Sequence, residues 1–324
     1  MTFHINGACW QHYPQDALQE LLLDHPYLFP GYQKVAKVTP TFHGASCADA
    51  PYTDAWGCVW TTTENGIVGA VVSHPLADWT AFDGYTPPDA RRVYDWAQRA
   101  DSLAQSAAQG QIRYGGLEHG HTFLRVCDIH GYENVLMDMV DEEPRLQALL
   151  RMIETFNMTV VQQYLEIGVD WMSYPEDLGM QVGPMISPAL FRQYIKPSYQ
   201  RIMAPARAAG CVVHMHSDGD LHELADDLID GGVTVLNLQD LVNGIDWIQA
   251  HFGGRICIDL DIDRQEITRF GTAEQIDALI RREVEALASK QGGLMMIYGL
   301  YPGVPLANVK ALMDAMERYA GYYA

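Results

Sequence analysis

From about residue 145 to the carboxyl end, short apolar runs alternate with longer stretches in which apolar side chains return every three or four positions. The short runs predict strands at Val169–Tyr174, Cys211–His216, Val233–Leu238, Arg255–Leu260 and Leu294–Tyr298. The periodic stretches predict helices at Leu146–Ile167, from Pro188 to about Ala209, and at Leu221–Asp230, Ile245–His251, Ala273–Lys290 and Leu306–Tyr319. Gly168, Gly210, Gly231-Gly232, Gly253-Gly254 and Gly292-Gly293 fall where each helix must stop and turn back into the next strand. Alternation of this kind means right-handed βαβ units and a parallel sheet.

The first 145 residues carry a weaker pattern. Strands are expected at Val35–Val38, Ile67–Val72 and Gln111–Tyr114, with a helix over Asp89–Ala108. The aromatic and proline content around Tyr52–Trp60 and Trp79–Pro88 predicts long ordered loops. A (β/α)₈ barrel takes about 250 residues, which leaves an irregular amino-terminal segment of roughly 70. The fold expected is therefore α/β, a (β/α)₈ TIM barrel forming one domain over residues 1–324, since no linker or low-complexity stretch divides the chain. A doubly wound open sheet is the alternative, although no Gly-x-Gly-x-x-Gly turn follows any strand.

Composition narrows the function classes. With 48% hydrophobic and 19% charged residues, the chain can bury a sizeable core. A formal charge of −20 argues against nucleic acid or an anionic membrane as a generic partner. No apolar run approaches the roughly 20 residues that span a bilayer, and the first residues lack a signal-peptide layout, so the cytoplasm is expected. The six cysteines show no Cys-x-x-C spacing and read as reduced thiols.

Candidate chemistry gathers where the strands end. The run His214-Met215-His216-Ser217-Asp218-Gly219-Asp220 closes an apolar segment, and residues two apart on a strand project to the same side, so His214 and His216 could reach one metal ion or substrate. Asp220 is expected to cap the next helix after a turn at Gly219. Polar residues also follow the other predicted strands: Glu176, Asp177 and Gln181; Gln239 and Asp240; Asp259, Asp261 and Asp263; Tyr298 and Tyr301. In a barrel this rim holds the active site. Glu118-His119-Gly120-His121 supplies a second histidine group, read either as part of the same pocket or as a surface loop. Trp56 could wall a flat substrate, or be plain core. The rim suits a divalent metal acting as a Lewis acid, or metal-free proton transfer by carboxylates and a tyrosine.

The order of motifs resembles the uroporphyrinogen decarboxylase superfamily, which includes metal-dependent methyltransferases that work with corrinoid proteins. The matching segments are YTDAWGCVW at 52–60, the block 168–200, VVHMHSDGD at 212–220, GGVTVLNLQD at 231–240, FGGRICIDLDIDRQ at 252–265 and YGLYPGVPLANV at 298–309. The resemblance implies a (β/α)₈ barrel. True decarboxylases hold their polycarboxylate substrate with amino-terminal arginines, whereas residues 1–90 here contain Lys34, Lys37 and no arginine. Tyr298 stands where those enzymes carry a histidine. Zinc-dependent relatives use a His-x-Cys pair at the position of His216-Ser217-Asp218 and a distant cysteine; here Asp218 replaces the first cysteine, and 294–304 contains none.

The site this implies has Glu176, Asp177, His216 and Tyr298 as catalytic groups and His216, Asp218, His214 and Asp261 as metal ligands. Substrate contacts would come from Asp54, Trp56, His119, His121, Gln181, Gln239 and Tyr301. The expected function is transfer of a methyl group from a small O- or N-methylated compound, as in O-demethylation, to a separate corrinoid protein, assisted by zinc or another divalent metal. No Asp-x-His-x-x-Gly run marks a corrinoid domain within the chain. The alternatives are a metal-independent decarboxylase acting on a carboxylated substrate and a catalytically silent binding protein. Related barrels often pair, which makes a homodimer an open expectation.

Overall fold

The structure, a computed structural model, describes residues 1–323. Its strands are β1 (Thr2–Ile5), β2 (Tyr52–Thr53), β3 (Val59–Thr61), β4 (Ala70–Ser73), β5 (Tyr114–Gly116), β6 (Trp171–Ser173), β7 (Val212–Ser217), β8 (Val235–Gln239), β9 (Cys257–Asp261) and β10 (Leu294–Leu300). The chain divides into two compact units. One holds residues 1–50, 62–69 and 238 onward, the other 51–61 and 70–237, and the chain passes between them within β8.

In the first unit β1 pairs in parallel with β10, and β10 with β9. The helix Ala273–Leu287 starts from a capping box made by Thr272 and Gln275, and it buries Ile276, Leu279, Ile280 and Val284 at helical spacing. Leu306–Ala320 buries Val309, Leu312, Met313 and Met316 in the same way. The strand expected at Val35–Val38 does not form. Gln19 takes both the N–H and the carbonyl of Val35, and Gln15 those of Val38, so this backbone is satisfied by side chains of the helix Gln15–Asp24 and not by a neighbouring strand.

In the second unit β5, β6 and β7 run parallel, with Tyr114 opposite Trp171 and Trp171 opposite Val212. The helix Pro144–Ile167 carries proline in its first turn and ends at Gly168. The segment expected as a strand at Ile67–Val72 contributes β4 to a small antiparallel sheet in the order β2-β3-β4. The helix expected over Asp89–Ala108 is two, Ala90–Val93 and Trp96–Ala108, because Tyr94 is extended and Asp95 caps the second by accepting from the Gln98 N–H. The helix expected from Pro188 passes through a π turn at Phe191–Ile195 just before Pro197, whose ring removes a backbone donor.

The α/β class with parallel strands is as expected, but a closed barrel of eight is not what the described residues display. Seven strands, β1 and β5–β10, are of the parallel kind. Of the eight expected, one became antiparallel and one stayed irregular, while β1 was not foreseen. No helix of the described residues is long and apolar enough to cross a membrane.

Candidate metal centre

Backbone pairing in the second unit continues past the strand ends and builds the site. The Tyr174 N–H donates to the His214 carbonyl, Glu176 N–H to His216, and Gly179 N–H to Asp218. On the other side Leu117 N–H donates to Ser173 and Gly120 N–H to Pro175. Three loops are thus laid side by side, bringing residues 117–120, 174–179 and 214–218 into register. Gly179 and Gly219 meet backbone to backbone where the last two loops cross, and Gly219 has a φ of +84°, so neither position has room for a side chain.

His119, Asp177 and His216 meet in this register. Asp177 Oδ1 lies 3.3 Å from His119 Nε2 and 3.5 Å from His216 Nε2. One ligand atom from each residue lies within 4.8 Å of the other two. Asp218 Oδ1 is 3.7 Å from His216 Nε2, and its N–H donates to Asp177 Oδ1 at 3.0 Å. On the far side of the imidazole, His216 Nδ1 donates to Asn237 Oδ1. That bond leaves Nε2 as the nitrogen available to the site.

Burial works to lower the His216 pKa, but hydrogen bonds to Asp177 and Asn237 and the charge of Asp218 outweigh it and bring the imidazole up to about 9. Burial likewise works to raise Asp177. Its bonds with His119 and His216 win, holding the carboxyl well below the usual carboxylate range. Two imidazole nitrogens and an ionised carboxylate around one point fit a divalent ion of the zinc type, three protein ligands being the usual number where a fourth position stays open for substrate.

Glu176 and His121 lie behind this face and are sealed from solvent. Glu176 Oε1 accepts from the N–H groups of Thr122 and Leu124 at 3.0 and 2.8 Å, and its other oxygen accepts from the Tyr199 hydroxyl. His121 points inward because Gly120 turns the chain with a φ of +73°, reversing the alternation that would keep His121 beside His119. Its Nδ1 meets Thr122 Oγ1 at 2.7 Å, and its Nε2 has no hydrogen-bond partner, Glu176 being 3.9 Å away. Burial lowers the His121 pKa.

A match to the family described as uroporphyrinogen decarboxylase (URO-D) spans residues 54–319, most of the chain. The chain belongs to the uroporphyrinogen decarboxylase family. Among solved structures, this URO-D family member is similar to a methyltransferase from Methanosarcina mazei, with 18% identity over 82% of this chain and 77% of that one and a TM-score of 0.62. A B12-independent methionine synthase from Shewanella sp. W3-18-1 follows at 10% identity, covering 69% and 65% of the two chains with a TM-score of 0.46. No curated protein matches by sequence. The first likeness extends the shared fold to a methyltransferase.

The other residues singled out from the sequence take varied places in this URO-D chain. His214 shares the side of β7 that carries His216, but it sits lower, its Nδ1 2.9 Å from Ser173 Oγ and its ring against Trp171. Gln181 is exposed in the turn that Met180 and Gly183 close. Asp54 spends its oxygens on the N–H groups of Trp56 and Cys58, the Trp60 indole and Arg125, fixing the β2–β3 turn. Trp56 is buried against Phe156. Asp220 does not cap a long helix: its Oδ1 accepts from His222 N–H, Oδ2 from Gly183 N–H, and the next helix begins at Ala225.

Four candidates belong to the other unit. Tyr298 is fully buried, its ring against Phe3 and its hydroxyl bonded to Thr268. Asp261 is buried and paired with Arg264 at 2.8 Å, and the same guanidinium stands over the exposed Tyr301 ring. Gln239 is buried at the end of β8, its carbonyl accepting from Asn243.

Sequence reading missed Asn237, Tyr199, Arg125 and Asp128. Arg125 is buried, ion-paired with Asp54 at 3.1 Å and Glu118 at 3.4 Å, and stacked on Trp56. Burial raises Asp128, one turn on, to about 7 against the pull of Arg125. Two signals were available: an asparagine inside the apolar run of β8, and an arginine inside the apolar helix Phe123–His130.

Proposed function

We propose that this protein is a methyltransferase that takes a methyl group from a small O- or N-methylated compound and passes it to a corrinoid carried by a separate protein. The observation that carries this reading is the nitrogen, nitrogen and oxygen donor set of His119, Asp177 and His216, on a chain that shares its fold with a methyltransferase. Those three residues would hold zinc or a similar divalent ion. When bound, the ion would act as a Lewis acid that makes the methylated heteroatom a better leaving group.

The chain's own residues prepare that chemistry. Asn237 fixes the His216 ring so that Nε2 faces inward, and Asp177 orients both imidazoles. The negative charge of Asp218, 3.7 Å from His216 Nε2, favours a cation beside that imidazole. His119, half exposed, lies on the solvent side of the group, where a substrate would arrive. The cytoplasm remains the expected compartment.

The test combines metal analysis with methyl transfer from methoxylated and N-methylated compounds to reduced cobalamin, free or on a corrinoid protein. Stoichiometric metal that is lost together with methyl transfer in His216→Ala is the expected result. A metal-free preparation that turns over a carboxylic acid and transfers no methyl group would overturn the proposal.

A further inference from the structure

The helix Phe123–His130 begins without a cap of its own. Thr122 stands at its N-cap position but makes no capping bond, because its hydroxyl is taken by His121 Nδ1 and by Asn157 Nδ2 at 3.3 Å. Asn157 also holds the His121 carbonyl at 2.8 Å. The first N–H groups of the helix therefore depend on a carboxylate from elsewhere in the sequence. Glu176 Oε1 supplies it, and a negative charge there is also favoured by the helix dipole.

The same side chain is held from its other end by Tyr199, which lies over His121 with ring centroids 5.3 Å apart. The Glu176 backbone is bonded to His216, and the next residue is Asp177. Glu176 thus adds a buried side-chain tie between the segment carrying Asp177 and the helix that follows His119, on a residue whose backbone is bonded to the strand carrying His216. Because it is fully buried, it does not reach solvent or an incoming ligand.

We infer that Glu176 is a positioning residue, which sets the separation of His119 and Asp177 by capping the helix Phe123–His130 and bonding Tyr199. This inference rests on the metal site proposed above, and it makes a distinction that a proton-transfer role for Glu176 would not. Glutamine can reproduce the geometry, since its carbonyl oxygen accepts from Thr122 and Leu124 while its amide donates to the Tyr199 oxygen, yet it cannot transfer a proton. Alanine removes every side-chain bond and leaves only the backbone bond to His216.

Two measurements on the full chain test it. Cobalt(II) affinity, read from the visible absorption of the bound ion, should weaken about 10- to 100-fold in Glu176→Ala, the usual cost of losing a ligand's support. In Glu176→Gln it should stay within about threefold of the parent, and methyl transfer should persist. Amide hydrogen exchange at Thr122 and Leu124, which needs no metal, should be slow in the parent and in Glu176→Gln and fast in Glu176→Ala. Unchanged exchange in a folded Glu176→Ala protein would overturn the inference even if the parent bound no cobalt. So would a Glu176→Gln protein that binds cobalt normally but has lost turnover, which would make Glu176 an acid–base group. Failure of the parent to bind cobalt, with the exchange results as expected, would count against the metal site and leave the positioning role standing.

Discussion

His216 Nδ1 is bonded to Asn237 Oδ1, and this turns His216 Nε2 toward Asp177, 3.5 Å away. An asparagine flanked by leucines within β8 thereby selects which imidazole nitrogen serves the site. Replacing it with alanine should weaken metal binding about 10- to 100-fold, since the ring loses its fixed tautomer and orientation. Isothermal titration with zinc compares the two proteins, and equal affinities would remove Asn237 from the site.

Metal affinity should depend on pH through His216. Its imidazole holds a proton up to about pH 9, and a metal must displace that proton, whereas Asp177 is already ionised. The dissociation constant should therefore tighten about tenfold per pH unit up to about pH 9 and then level off. Zinc competition with a chelator of known affinity, between pH 6 and 10, reads this slope.

Asp128 gives a stability prediction of defined sign. Its carboxyl is raised from 3.8 to about 7 in the folded protein, so the folded state binds the proton more tightly than the unfolded one. The contribution is fully present below the unfolded pKa and is lost as pH rises through about 7, by about 2 kcal/mol after allowance for partial exposure. Asp128→Asn should flatten this stretch of the curve, as measured by urea unfolding at pH 5 and pH 8.

The first unit carries a second case. Glu283 is fully buried, raised well above its ordinary value by burial and then by Asp240, and neither of its oxygens makes a well-formed hydrogen bond. Asp240 is raised as well, chiefly by burial. Protonation stabilises the folded form, so stability should decline as pH rises above the ordinary carboxylate range. Glu283→Gln should gain about 1 kcal/mol or more at pH 8 and little at pH 4. Thermal unfolding at the two pH values checks the crossover.

Gly219→Ala should be among the most damaging single changes in the chain. A methyl group there meets the Gly179 backbone, and the positive φ adds strain, for a cost of about 4 kcal/mol or more. The yield of folded protein and its urea midpoint give the comparison. A variant as stable as the parent would mean that the 178–185 loop can shift away from Gly219.

The alternation of strands and helices beyond residue 145 was legible because each apolar run there is long enough to bury itself and most of the helices end at or next to a glycine, the helix Ala273–Leu287, which stops at Ala288, being an exception. His214 and His216 were correctly placed on one side of β7 by strand periodicity alone. The first 145 residues were less legible, in part because Gln15 and Gln19 satisfy the backbone groups of Val38 and Val35, and bonds of that kind leave no periodic trace.

Sequence by itself determined that carboxylates and histidines follow the strands, since polar groups at strand ends and apolar residues within them are both one-dimensional patterns. Only the tertiary structure decided which of them meet. His119 joins Asp177 and His216, while His121, two residues on, is buried by the turn at Gly120, and Glu176 faces the helix Phe123–His130 while its neighbour Asp177 faces the site. The reason is physical. Ligand geometry depends on backbone bonds between segments far apart in the chain, and such bonds are made by N–H and carbonyl groups that every residue except proline possesses.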